Sequence, residues 1–152
     1  MPEYILPIDD RKNWNSLDAF TQGYIEAIFF TNVEPGTTAE THEPETQSSL
    51  PGDASFDDLS EEAVAEIKRE CAEFQARYAA EIAKAIEIGK DYDDAAAGRD
   101  FWYTRCGHGV GFWGRDLGEI GDKLTAACGF RTEFPDRSVY LGDDGRIYYG
   151  QG

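Results

Sequence analysis

The stretch Leu59–Gly89, "LSEEAVAEIKRECAEFQARYAAEIAKAIEIG", decides the fold. Ala63, Ile67, Cys71, Phe74, Tyr78, Ile82 and Ile86 recur every three or four residues, which is the spacing of one face of an α-helix. Ser60 offers a capping hydroxyl, and Glu61 and Glu62 follow at the positive end of the helix dipole. Gly89 is placed to end the helix. The pattern predicts one long amphipathic helix, whose apolar stripe must be covered by the rest of the chain.

Upstream, Leu17, Phe20, Tyr24 and Ile28 predict a second helix, with Asn15 or Ser16 as its cap and Asp18 in its first turn. Gly23 weakens that helix by up to ~1 kcal/mol relative to Ala but offers a place for close packing. Residues 33–56, "VEPGTTAETHEPETQSSLPGDASF", have no apolar period and read as a mobile acidic loop with a solvated His42.

Downstream, Phe101-Trp102-Tyr103-Thr104 has strand composition, and Phe112-Trp113 is a second short strand candidate. Asp116-x-x-Glu119 resembles a capping box opening a short helix through Leu117, Ile120, Leu124 and Ala127. Val139–Leu141 and Ile147–Tyr149 flank "GDDGR" as a β-hairpin, with Gly142 and Gly145 supplying positive φ. Asp91, Asp93 and Asp94 do not make a calcium loop, because Ala96 and Trp102 stand where a glycine and a glutamate are needed. The chain therefore reads as one α+β domain over residues 1–152. In it, an N-terminal helix and the long amphipathic helix pack on a small antiparallel sheet, with one short helix and a C-terminal β-hairpin.

Charge narrows the function. The net charge is −16, and no Lys or Arg occurs between Lys12 and Lys68, where twelve acids fall. A field of this sign repels nucleic acid and membrane surfaces and attracts basic partners. Exposed candidates for a partner-binding acidic surface are Asp18, Glu26, Asp57, Asp58, Glu61, Glu62 and Glu66. The Leu59–Ile88 helix carries seven acids against four bases. Over its length of about 45 Å, that density is far below the one charge per ~1.7 Å of duplex DNA. Imitation of DNA would therefore need the other acids on the same face. Cys71, Cys106 and Cys128 are odd in number and widely spaced, which suits buried thiols in a reducing cytoplasm rather than disulfides or a zinc site. No cofactor is called for.

The segment "TRCGHGVGFWGRDLGE", Thr104–Glu119, is the other focus of chemistry. Its G-x-G-x-x-G match at Gly109, Gly111 and Gly114 is by letter only, since a Phe-Trp pair is too bulky for a pyrophosphate loop and βα units are too few. Cys106 with His108, and Asp116 or Glu119 behind, could form a nucleophilic site only across a turn. An anion or nucleotide pocket, with hydrolysis as one use, would draw on Arg105, Gly107, His108, Gly109, Gly111 and Arg115 beside a helix N-terminus. The structural alternative is a glycine corner in which His108 donates to a backbone carbonyl while Phe112 and Trp113 enter the core.

"DFWYTRCGHGVGFWGRDLGEIGDKLTAA" (100–127), followed by "VYLGDDGRIY" (139–148), resembles a motif of small uncharacterised proteins of tailed bacteriophages and prophages. That motif is close to D-F-W-L-T-R-N-G-H-G-A-G-F-W-D-R, and "LDAFTQGYIEAIFF" and "CAEFQ" extend the match. Cys106 replaces an Asn of the pattern and Gly114 an Asp, which argues against a required nucleophile and against the third glycine. The resemblance implies a phage accessory protein in the cytoplasm of a bacterial host and is silent on activity. Together with the charge, it leads to the expectation of a non-enzymatic protein that binds a host protein with a basic surface. Anti-restriction, anti-CRISPR-like and DNA-mimic inhibition fall within that class. The alternative is a small-molecule, nucleotide or anion-binding protein using the Gly-His-Gly loop.

Overall fold

A computed structural model of the chain describes residues 14–34, 50–129 and 131–151. Helix α1 (Ala19–Asn32) is capped by Asp18, whose carboxylate accepts from the Thr21 amide at 2.8 Å. The cap therefore lies later than Asn15 or Ser16, because Asp18 has the extended backbone a cap requires. Phe20, Tyr24, Ile25, Ala27, Ile28 and Phe29 are all buried. So α1 is enclosed on more than one face.

Ser60 caps α2 (Glu61–Arg77) as its sequence predicts, accepting from the Ala63 amide at 3.1 Å. The long helix is not continuous. It breaks at Tyr78 (φ −118°, ψ 28°) and resumes as α3 (Ala79–Ile88), which ends at Gly89. Hydrogen bonds from Tyr78 N to Phe74 O and from Ile82 N to Tyr78 O, both 2.9 Å, carry the chain across the break. The predicted stripe is the buried face: Ala63, Ile67, Cys71, Phe74 and Ile82 are buried, with Tyr78 and Ile86 half-buried beside them.

Helix α4 (Asp94–Arg105) overturns the strand predicted at Phe101–Thr104. Aromatic residues favour strands only because they suit a half-buried pleated surface. Here Phe101, Trp102 and Tyr103 all find buried surroundings around one helix, and Asp93 starts that helix by accepting from the Ala96 amide at 2.8 Å. α4 lies directly against α1. A Cβ at Gly23 would overlap the Ala95 carbonyl, and one at Gly98 would overlap the Phe20 carbonyl. The two backbones touch because both glycines lack a side chain. Gly23 thus has the close-packing role its sequence suggested.

The second strand candidate, Phe112-Trp113, is a 3₁₀ turn (Phe112–Gly114). Helix α5 (Gly118–Ala126) follows, entered through Leu117 with no side-chain cap. Asp116 is not the predicted cap, because its φ of 56° turns the chain before the helix begins.

The predicted C-terminal hairpin is present. β3 (Arg137–Leu141) and β4 (Ile147–Gln151) pair antiparallel, with Val139 opposite Tyr149 and Tyr140 opposite Tyr148. Gly145 supplies positive φ at 81°, whereas Gly142 is needed because a Cβ there would meet the Tyr148 ring. A two-residue parallel ladder joins β1 (Val33–Glu34) to β2 (Leu50–Pro51). The predicted acidic loop is therefore ordered at its far end, where Leu50, Ala54 and Phe56 are buried and a 3₁₀ turn spans Phe56–Asp58. Its middle, residues 35–49 with His42, lies outside the described residues.

The result is an α+β domain. Its core centres on Phe74, which stacks on Phe101 at 4.1 Å and also meets Phe20, Phe112 and Phe134. Among the described residues no helix is long and apolar enough to cross a membrane.

Candidate functional site

The glycine-rich loop begins where α4 ends. Arg105, in the last turn, points inward and is 1% exposed. Its Nη1 and Nη2 donate to Glu70 at 3.2 and 3.3 Å, and its Nε donates to the Pro135 carbonyl at 2.8 Å. Nη1 also reaches the Tyr24 and Tyr149 hydroxyls, at 3.1 and 3.3 Å. Arg137 donates to the same carboxylate at 2.6 Å, and the Tyr149 hydroxyl donates to Glu70 Oε1. Five side chains from α1, α2, α4, β3 and β4 thus close one buried cluster. Burial alone would raise the Glu70 carboxyl, but hydrogen bonds from Arg137 and Tyr149 and the charge of Arg105 pull it below its ordinary value. Burial works against the Arg105 charge too, and the neighbouring tyrosines and Glu70 more than restore it.

Arg115 has a different partner. Its guanidinium forks onto Asp100 of α4, at 2.9 Å from Nη2 and 3.1 Å from Nε. Asp100 is fully buried and also accepts from the Tyr92 hydroxyl at 2.8 Å. The two arginines of the predicted anion pocket are therefore each engaged by a buried carboxylate, on separate partners.

His108 sits between them in sequence, half-buried. Its amide donates to the Tyr103 carbonyl at 2.9 Å, and its ring stands edge-on to the Tyr103 ring. Burial lowers its pKa, which favours the neutral imidazole. Gly107 takes φ of 73°, a Cβ at Gly111 would overlap the Thr104 hydroxyl, and Gly109 faces open space. Of the aromatic pair, Phe112 enters the core as predicted. Trp113 does not: it is 54% exposed, beside an exposed Val110. The Cys106 thiol donates to the Arg137 carbonyl at 3.5 Å, and burial pushes its pKa up to about 11. It is thus a poor thiolate source.

The acids predicted to face a partner divide into two groups. Asp18 is the α1 cap and also accepts from Gln75, while Glu26 lies 3.8 Å from Arg99 of α4. Glu66 pairs with Arg69, and Glu73 lies between Arg69 and Arg77. The middle of α2 is therefore matched by its own cations. At the start of α2, Asp57, Glu61 and Glu62 are exposed. Asp58 accepts from the Ser55 amide at 3.0 Å, and its pKa is raised by burial and by the charges of Asp57 and Asp53. Asp57 and Glu61 line a groove of about 400 Å³ floored by Leu17, Phe56 and Leu59, with Lys68 and Arg146 at its margin. Glu62 and Glu66 line a second groove, about 350 Å³, with Arg137 and Tyr149. The hairpin abuts this end of α2 through a Ser60 N–Ile147 O bond of 2.9 Å and an Arg146 Nη2–Leu59 O bond of 2.9 Å. Asp143 and Asp144 are exposed in the turn of the same hairpin, and the charge of Glu62 acts on Tyr148, which donates to Asp144.

Sequence reading missed Glu70, Asp100, Arg137 and Tyr149. Glu70 had a signal: it stands three residues after Ile67 and four before Phe74, on the buried stripe. A carboxylate at such a position requires a buried cation. Its partners are separated from it by 35 and 67 residues, and no local pattern names them.

The geometry defines an α+β domain tied together by the buried Glu70–Arg105–Arg137 cluster and by the Asp100–Arg115 pair, with Asp57, Glu61 and Glu62 exposed together at the start of α2. No family model matches the chain, and neither a curated protein nor a solved structure is significantly similar to it.

Proposed function

We propose that this protein acts by binding, and that the acidic face at the start of α2 engages a basic surface on another protein. One observation carries the reading. Asp57, Glu61 and Glu62 are exposed together, with Asp53 and Asp57 already acting on Asp58, whereas the acids farther along α2 are matched by Arg69 and Arg77. Part of this charge stabilises the helix through its dipole, by ~0.3–1 kcal/mol per favourably placed acid. That role needs one or two carboxylates, not the whole set. The resemblance to phage proteins supplies the context: the partner is a protein of the bacterial host, and interference with a nucleic-acid-binding defence factor suits an acidic ligand.

The test is capture from nuclease-treated bacterial lysate on the immobilised protein, with Asp57→Asn/Glu61→Gln/Glu62→Gln in parallel. The wild type should retain a basic protein that the triple variant loses and that elutes as salt rises toward about 0.5 M, where the screening length is only a few ångströms. A partner retained equally by both proteins and at high salt would sink the acidic-face reading.

A further inference from the structure

The hairpin beside the acidic face carries a feature that charge alone does not explain. Along β3 and β4 the side chains alternate. Val139 and Ile147 are buried and Tyr149 reaches the ionic cluster, while Tyr140 and Tyr148 point the other way. Those two tyrosines are directly opposed across the ladder, with ring centroids 5.6 Å apart and planes 22° from parallel. Tyr140 is 54% exposed. Tyr148 is fixed from three sides: its ring lies over the space left by Gly142, its hydroxyl donates to Asp144, and its partner ring covers one face. A rigid, outward aromatic pair of this kind is costly to leave in water and cheap to dock against, because little side-chain entropy remains to be lost.

The surrounding charges select the occupant. Asp144 accepts from the Tyr148 hydroxyl and from the Arg146 amide at 2.9 Å, and the charge of Glu62 on α2 acts on Tyr148. Of the nearby cations, Arg137 is held by Glu70, and Arg146 donates to the Leu59 carbonyl while its charge also acts on Asp58 and Asp144. Among the described residues, the arginines that lie over rings do so on Phe101 and Phe134. No cation among the described residues lies over either ring of the pair, and the carboxylates of Asp144 and Glu62 act on Tyr148. A planar, weakly hydrated guanidinium fits both properties, stacking on the ring while its N–H groups meet carboxylates. An ammonium gains the field but stacks poorly.

We infer that the Tyr140–Tyr148 pair docks an arginine side chain of the basic partner, with Glu62 and Asp144 as flanking acceptors. This rests on the acidic-face reading and adds a preference for arginine over lysine.

The experiment is a titration of labelled nona-arginine and nona-lysine peptides at low salt into four proteins: wild type, Tyr140→Thr/Tyr148→Thr, Asp57→Asn/Glu61→Gln/Glu62→Gln, and a Glu87→Gln/Asp122→Asn control. Threonine keeps the β-propensity of the hairpin. The wild type should prefer arginine about five-fold, the value of ~1 kcal/mol of cation–π stacking. The threonine variant should lose that preference while holding lysine as before. The acidic triple variant should bind both peptides several-fold more weakly than the control. A wild type without preference, or a threonine variant that keeps it, overturns the arginine-docking inference and leaves the acidic face standing. A triple variant as tight as the control overturns the acidic face itself. Tyr140→Phe must retain the preference. Its loss there would refute ring stacking even if the double variant failed to fold.

Discussion

Glu70 and Arg105 are buried against each other, 35 residues apart in sequence, with both guanidinium nitrogens on the two carboxylate oxygens at 3.2–3.3 Å. The pair is a liability if halved. Glu70→Gln leaves Arg105 and Arg137 without a counter-charge, and removing one partner of a buried pair costs ~3–5 kcal/mol. Chemical denaturation should show a midpoint loss of that size. Arg69→Gln, which breaks only the solvent-exposed pairs with Glu66 and Glu73, should change stability by less than ~1 kcal/mol.

The same carboxylate sets a pH dependence. Glu70 is held below the ordinary glutamate value of 4.5. Its contribution is complete above that value and is lost as pH falls through the lowered folded value. Glu26 and Asp58, which burial raises, act in the opposite sense. The informative quantity is therefore the stability gap between wild type and Glu70→Gln, measured by thermal melts across acid pH. That gap should narrow below about pH 4.5.

The α1–α4 contact predicts an inverted glycine scan. In a helix interior, Gly→Ala ordinarily gains up to ~1 kcal/mol. At Gly98 the added methyl would overlap the Phe20 carbonyl, a backbone atom that cannot step aside. Gly98→Ala should instead lose ~1–3 kcal/mol, as overpacking does. Gly109→Ala, with nothing within 4 Å of the new methyl, should stay within ~0.5 kcal/mol. Melting temperatures of the two variants decide it.

The loop histidine and its neighbour should separate cleanly. His108 is half-buried and its ring stands edge-on to Tyr103, so His108→Ala should leave the fold intact with a small drop in melting temperature. Asp100→Ala strands the Tyr92 hydroxyl and Arg115 together, and should cost ~3 kcal/mol or more. Circular dichroism melts distinguish them.

Thiol chemistry offers a further check. Cys71 and Cys128 are buried and burial raises both thiols, as it does Cys106. At neutral pH the folded protein should react with iodoacetamide far more slowly than a free cysteine does. Full labelling should appear only with denaturant.

The helices whose apolar positions fall on one stripe were legible in the sequence, as was the hairpin around Gly145. What failed did so for definable reasons. Phe101–Thr104 reads as a strand because no single stripe emerges when a helix is buried on several sides. Asp116 reads as a cap because composition does not show that its φ is positive. The break at Tyr78 leaves no mark in the sequence, because the apolar stripe runs through it without a glycine or proline. At the candidate site, the acids at the start of α2 were readable one by one. Their separation from the acids neutralised by Arg69 and Arg77 required coordinates. Trp113 was placed inside and lies outside; its position depends on the turn that carries it.

The Tyr24–Tyr149 hydroxyl contact, 2.6 Å across 125 residues, has a consequence for synthesis. A nascent chain that has reached Asp136 already carries Glu70 and Arg105 but lacks Arg137 and Tyr149. Until β4 has been made and can pair, α1, α2 and α4 must wait with their ionic centre half-built, and that strand acts as the latch. Closure of the domain is thereby tied to the arrival of β4 rather than to the helices that precede it.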